Sequence, residues 1–183
     1  MAPSSGGFTI WFTGLSGSGK TTISRLVAPE LERRGLVVEH LDGDVIRTHL
    51  SKGLGFSRED RDTNVERIGW VASRLTRAGA AVLVSAISPY AEARRKAREL
   101  VEEHGAFVEV HVATPVEECA RRDVKGLYAK AAAGEIPAFT GVSDPYEEPA
   151  DPELRVETSC TPEASARLVV AKLEELGLLG VPA

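Results

Sequence analysis

The chain has 183 residues, 43% of them hydrophobic and 27% charged, the balance of an ordinary globular protein long enough to bury a core. Its formal net charge of −5 argues against bulk attraction to nucleic acid or to an anionic membrane, so any polyanionic ligand must be held by a local cluster. No apolar run approaches a membrane span, and the stretch from Met1 to Gly7 lacks the charged and apolar regions of a signal peptide. Cys119 and Cys160 have neither metal-ligand spacing nor a partner pattern, which points to reduced thiols in a cytoplasmic protein. The expected layout is a loose tail over residues 1–7 and one domain over residues 8–183.

Apolar runs alternate with helical patterns, the sequence form of a parallel sheet covered on both faces. Strands are expected at 8–12, 37–41, 81–85, 107–112 and 154–157, with helices at 20–34, 57–78, 91–103, 115–132 and 162–176. The fold class is therefore α/β, three-layered, with a mostly parallel five-stranded sheet. Pro29 falls inside the first helix, where proline costs about 3 kcal/mol relative to alanine, so a kink or an early end is expected there.

Directly after the first strand comes Gly14-Leu15-Ser16-Gly17-Ser18-Gly19-Lys20-Thr21, which fits G-x-x-x-x-G-K-[ST] at every position. Glycines allow the backbone to curl so that several N–H groups face one hollow, and the N-terminus of the next helix adds partial positive charge. Lys20 is placed to reach the β- and γ-phosphates of a nucleoside triphosphate and the Thr21 hydroxyl to ligate Mg²⁺. The second strand runs into Asp42-Gly43-Asp44, and ligands of open α/β sheets bind beyond such strand ends. Asp42 is read as organising Mg²⁺ through water, and Asp44 as lying near the attacking hydroxyl. Ser57 reads as the N-cap of the long helix, in which Val65, Ile68, Ala72 and Leu75 mark a core face. Arg61 and Asn64 extend that face with a fork-shaped cation and an amide, an arrangement suited to a phosphate and a neighbouring polar group. Phe56, just before the helix, fits a hydrophobic staple and a ligand stack equally well.

Further on, Arg121, Arg122, Lys125 and Lys130 put four cations into ten residues, where small-molecule kinases carry a mobile lid; the lid is expected over about 121–150. The cluster Arg94-Arg95-Lys96-Arg98 lies on an amphipathic helix and is expected to face solvent. Cys160, in the loop before the last helix, is read as a packing residue where the ATP adenine rests.

Taken together, Asp42–Arg47, Leu54–Ser57 with Asp60, Arg61 and Asn64, Ile87-Ser88-Pro89-Tyr90, Lys125-Gly126-Leu127-Tyr128 and Phe139-Thr140-Gly141 with Pro145-Tyr146-Glu147 resemble the adenylylsulfate kinases (APS kinases). The likeness runs from about Ile10 to Pro152. It implies a phosphate-loop kinase fold, ATP with Mg²⁺, and transfer of the γ-phosphoryl to the 3′-hydroxyl of adenosine 5′-phosphosulfate. On this likeness ATP would be held by residues 14–22, Thr22 included, with Arg122 and Cys160. Arg47, Arg61 and Asn64 would hold the phosphosulfate end of the acceptor, Phe56 and Phe139 would sandwich its adenine, and Asp42, Asp44, Ile87, Ser88, Lys125, Gly126 and Leu127 would complete its site. Ser88 matches the serine that the family carries as a phosphoserine intermediate. Nothing near it in sequence would activate it, and in-line transfer between two bound nucleotides needs no relay, so contact with substrate is the expectation. Ala86, where many members have an aromatic residue, and Ser143-Asp144-Pro145 are departures. The likeness also implies a homodimer and leaves open an association with the sulfurylase that makes the substrate.

Two rivals remain at this point. A phosphate-loop kinase of another small acceptor, such as a nucleotide or a sugar acid, would share the sheet but not the set Arg47, Phe56, Arg61, Asn64 and Phe139. A switch GTPase would carry Asp-x-x-Gly and an [Asn/Thr]-Lys-x-Asp base reader, and neither is present.

Overall fold

Strand β1 (Phe8–Thr13) is buried along its whole length and lies at the centre of the molecule. The computed structural model describes residues 6–157 and 159–180. After β1 come α1 (Lys20–Arg33), β2 (Val38–Asp42), α2 (Gly43–His49), α3 (Arg58–Arg77), β3 (Ala81–Ser85), α4 (Ala91–Glu102), β4 (Ala106–Ala113), α5 (Val116–Arg122), α6 (Leu127–Ala132), β5 (Leu154–Glu157) and α7 (Pro162–Glu175). The sheet has the order β2-β3-β1-β4-β5 with every pair parallel. Because β1 is flanked by β3 and β4, the chain leaves it in one direction and later returns on the other side. The crevice of an open α/β sheet therefore opens at the carboxyl end of β1.

Side-chain alternation divides the core. Phe8, Ile10 and Phe12 of β1 and Val108, Val110 and Val112 of β4 pack on Ile23, Val27 and Leu31 of α1 and Val169 and Leu173 of α7. On the opposite face Trp11, Val82, Val84 and Phe107 pack on Val65, Ile68 and Ala72 of α3 and Ala93, Ala97 and Val101 of α4. Trp11 stacks on Phe107 with ring centroids 5.6 Å apart. A third, smaller cluster joins Leu15 to Cys119, Tyr128 and Phe139, outside the sheet.

Several expectations are corrected. No helix was expected between the second strand and Ser57; Asp42 caps α2 there, its Oδ1 accepting from the Asp44 N–H at 3.0 Å. The expected helix 115–132 is two helices, broken where Asp123 (φ 28°) and Gly126 (φ 65°) turn left-handed. Helix α1 runs through Pro29, which lies on its exposed side, so the carbonyl that proline leaves unpaired faces solvent. Of the tail expected at residues 1–7, residues 1–5 lie outside the described residues. Gly7 is buried, and a Cβ there would sit 2.3 Å from the Thr76 carbonyl oxygen. Among the described residues no helix is long and apolar enough to cross a membrane.

Beyond Phe107 the α4 side of β4 is polar, with Glu109 and His111. His111 is 2% exposed, and Nη1 of Arg155 donates to its Nδ1 at 3.0 Å, which makes that nitrogen an acceptor. Burial first, and the Arg155 charge second, hold its pKa down to about 4, with Glu148 and Glu157 only partly offsetting them. The folded chain thus refuses a proton that the unfolded chain accepts below about pH 6.5. Stability from the neutral ring is complete above pH 6.5 and is lost as pH falls towards 4, by at most about 1.4 kcal/mol per pH unit. Replacing His111→Gln should shrink the drop in urea midpoint between pH 7 and 4.5; an identical drop in both proteins would contradict this account.

Candidate active site

The phosphate loop is anchored on three sides. Gly14 takes φ 148°, and a Cβ on it would lie 2.6 Å from the Val112 carbonyl oxygen of β4, so only glycine fits where the loop leaves β1. Thr114 Oγ1 donates to the Ser18 carbonyl at 2.8 Å, and Tyr128 Oη to the Ser16 carbonyl at 3.0 Å. Gly17 and Gly19 also have positive φ, and Gly19 caps α1 without a side-chain bond, leaving the first N–H groups of that helix open to a ligand. Lys20 is 8% exposed, with Nζ donating to the carbonyls of Gly14 (2.9 Å) and Leu15 (2.7 Å). Burial lowers its pKa to about 8. Thr22 is exposed on the first turn of α1.

Thr21 Oγ1 donates to Asp42 Oδ2 at 2.8 Å. A hydroxyl and a carboxylate side by side at the mouth of the phosphate loop are the hard oxygen donors that Mg²⁺ prefers, so these residues fit the ion. Asp44, exposed in the first turn of α2, is ion-paired with Lys125, which the turn before α6 carries across the crevice. Gly126 and Leu127 start α6. Arg122, expected to hold ATP, and its neighbour Arg121 are both paired with Glu118 on their own helix, Arg122 Nε at 2.8 Å.

On the other wall α3 begins at its Ser57 N-cap, with Asp60 N–H donating to Ser57 Oγ at 3.1 Å. Asn64 is 8% exposed, and its Oδ1 is buried without a hydrogen-bond partner among the described residues, an acceptor waiting for a donor. Arg61 is 7% exposed and does more than face a pocket. Its Nε donates to the Phe56 carbonyl at 2.8 Å, while Nη1 and Nη2 reach Thr140 Oγ1 and the Ala138 carbonyl. One guanidinium thus joins the loops that carry Phe56 and Phe139. Phe56 is 54% exposed beneath the guanidinium of Arg47, 4.5 Å from the ring centroid; Phe139 is buried and meets Tyr128 edge-on, centroids 4.9 Å apart. A hydrophobic staple would need an apolar residue at the fourth helical position after the Ser57 cap, and that residue is Arg61, its guanidinium 5.8 Å from the Phe56 ring centroid.

Ser88 sits in the turn after β3 with φ 48°, a left-handed conformation that costs an alanine-like residue about 1–2 kcal/mol. Its Oγ accepts from Trp11 Nε1 at 3.0 Å and it is 3% exposed, with Ile87 half-buried beside it. Among the described residues no carboxylate or imidazole bonds this hydroxyl in a way that would activate it as a nucleophile. Cys160 is half-buried in the turn before α7. A cavity of about 660 Å³ runs from Leu15 along the end of β4 under residues 141–148, beside the triphosphate cradle rather than over it.

The sequence model of the family described as "Adenylylsulphate kinase" matches residues 6–157. The chain belongs to the adenylylsulphate kinase family. Every site residue named above except Cys160 falls within the span matched by that family. The adenylyl-sulfate kinase of a Picosynechococcus strain is 56% identical over 174 residues, covering 94% of this chain and 97% of that one. The solved APS kinase of Mycobacterium tuberculosis in complex with AMPPNP and APS superimposes with a TM-score of 0.89 at 47% identity, covering 92% of this chain and 98% of its own. A Sorangium cellulosum protein called a probable bifunctional SAT/APS kinase is 53% identical over 172 residues, which span 93% of this chain but only 29% of that protein.

Sequence reasoning missed two features of this adenylylsulphate kinase site. The double role of Asp42, capping α2 while touching Thr21, was hidden because Asp-Gly reads as a turn. The Arg61 bridge depends on residues 138–140, far away in the chain, and no local signal announces it. Substituting Gly14→Ala should weaken binding of a fluorescent ATP analogue at least tenfold with far-ultraviolet circular dichroism unchanged; undiminished binding would show that the loop tolerates a side chain against Val112.

Proposed function

We propose that the chain is an ATP-dependent adenylylsulfate kinase, moving the γ-phosphoryl group of ATP to the ribose 3′-hydroxyl of adenosine 5′-phosphosulfate and releasing ADP. The observation that carries this is the pairing of a complete phosphate loop with Asp44 and Lys125 across the crevice, in a chain 47% identical to an APS kinase solved with both a nucleotide analogue and APS.

In this reading the loop amides and Lys20 neutralise the β- and γ-phosphates, and Thr21 with Asp42 holds Mg²⁺, which when bound draws charge from the transferring group. The bond from the γ-phosphorus to the bridging oxygen breaks as the 3′-oxygen bonds in line. Asp44 orients that hydroxyl and takes its proton, an aid to positioning in a loose transition state more than a driving force. Lys125 holds Asp44 and stabilises charge spreading over the equatorial oxygens. Residues 121–150 act as the lid of a single domain formed by residues 8–183, excluding water that would compete as acceptor. Arg47 and Asn64 receive the phosphosulfate end, Asn64 by donating from its side-chain amide N–H, while Arg61 sets the spacing of Phe56 and Phe139 around the purine. The Ser88 hydroxyl contacts substrate and carries no phosphoryl group. We place the enzyme in the cytoplasm as a homodimer; the probable bifunctional SAT/APS kinase of Sorangium cellulosum supports an association with a sulfurylase.

A coupled assay on the purified protein should show rapid ADP release with adenosine 5′-phosphosulfate and Mg²⁺, and none with AMP or a sugar acid; turnover of those instead would sink the assignment. Lys20→Ala should lower kcat by more than a hundredfold with the fold retained. Arg61→Ala should raise KM for the sulfated nucleotide at least tenfold and that for ATP much less, and equal rises would place Arg61 in the wrong half of the site.

A further inference from the structure

Helix α4 carries Arg94, expected with its basic neighbours to face solvent. Arg95 does so, paired with Glu92 and Glu99 on its own helix. Arg94 is 4% exposed, because it shares the 94, 97, 101 stripe with Ala97 and Val101, all three turned towards the sheet. Its guanidinium makes three directed bonds. Nε donates to Glu109 Oε1 of β4 at 2.8 Å, Nη1 to the Ser88 carbonyl at 2.7 Å, and Nη2 to the Glu147 carbonyl at 2.7 Å.

The two carbonyls belong to segments stitched to each other. Glu147 N–H donates to the Pro89 carbonyl at 2.8 Å, Ala91 N–H to Glu147 Oε2 at 2.7 Å, and Tyr90 Oη to Asp144 Oδ2 at 2.7 Å. Thr13 Oγ1, at the end of β1, donates to the Ile87 carbonyl at 2.7 Å and lies 2.9 Å from Tyr146 Oη. Glu109 is itself held, since Arg98 bonds both oxygens of Glu153, and Glu153 accepts the Glu109 N–H at 2.6 Å. The buried pair therefore sits at the junction of the sheet, the Ser88 turn and the strap formed by residues 144–147.

We propose that Arg94, seated on Glu109, is a positioning residue that locks the left-handed Ser88 turn and the 144–147 strap into one rigid wall of the acceptor site. It touches neither nucleotide; it acts through Ile87 and Ser88, whose backbone it fixes, and through the strap that continues from Phe139. A planar fork with fixed N–H directions is required, because the three acceptors lie on different elements, and a point-charge ammonium cannot serve all of them. The proposal rests on adenosine 5′-phosphosulfate being the acceptor.

The test is Arg94→Lys in the full chain, which keeps a positive charge opposite Glu109 while losing the fork. KM for adenosine 5′-phosphosulfate should rise at least tenfold and KM for ATP stay within twofold. Without substrates, hydrogen exchange should quicken in residues 86–90 and 144–148 but not in the central strands. Unchanged KM values, equal rises in both, or exchange quickened throughout would overturn the proposal. Should the lysine variant fail to fold, Glu109→Gln decides, since it keeps an acceptor on Nε and leaves both carbonyl bonds in place. An acceptor KM within threefold of wild type supports the strut, and a tenfold rise refutes it. Wild-type protein that ignores the sulfated nucleotide would sink the substrate assignment alone, because the exchange pattern of the free protein tests the strut separately.

Discussion

The closeness of the phosphate loop to the end of β4 sets the terms for everything around it. Gly14 leaves β1 with no room for a side chain against the Val112 carbonyl, so the loop must turn at that point, and the ammonium of Lys20 ties the carbonyls of Gly14 and Leu15 into the resulting curl. A loop held in this way brings the start of α1 to the crevice between β3 and β4. Thr21, on the first turn of that helix, then meets Asp42 at the end of β2, and the same carboxylate starts α2 and aims Asp44 inwards. One steric limit thus passes through three elements to fix where charge gathers.

The second half of the crevice is built by arginines used as struts. Arg61 and Arg94 are each nearly inaccessible and each spends its fork on carbonyl oxygens of distant loops. Loops of this kind have few backbone partners of their own, and a guanidinium offers several directed donors from one rigid plane. Burying such a cation is costly unless it is well bonded. Arg94 meets that cost with Glu109 and two carbonyls, and Arg61 with the carbonyls of Phe56 and Ala138 and the Thr140 hydroxyl.

What could be read from the residues follows from how local each signal is. The phosphate loop, the strands and the Ser57 cap are contiguous patterns, and they recur in the structure within a residue or two. Helix α2 escaped notice because its first residues, Asp42-Gly43-Asp44, are also those of a tight turn. The break between α5 and α6 escaped because Lys125-Gly126 lies within an otherwise helical composition. Arg94 was misplaced for a different reason: a run of four cations reads as a wet surface, although its spacing from Ala97 and Val101 already pointed inwards. The far partners, Thr140 and Ala138 for Arg61 and Glu147 for Arg94, lie more than 50 residues away along the chain, and such pairings are written in topology, not in any window of sequence.

The small apolar cluster of Leu15, Cys119, Tyr128 and Phe139 lies apart from the two cores that cover the sheet. Its members come from the phosphate loop, α5, α6 and the segment after α6, so it can assemble only after the sheet has brought those pieces near. It is the smallest of the three clusters among the described residues, and small peripheral units open at less cost than the cores they adjoin. Loosening of this one patch would part the phosphate loop from α5, α6 and the segment beyond while the two cores on the sheet stay closed.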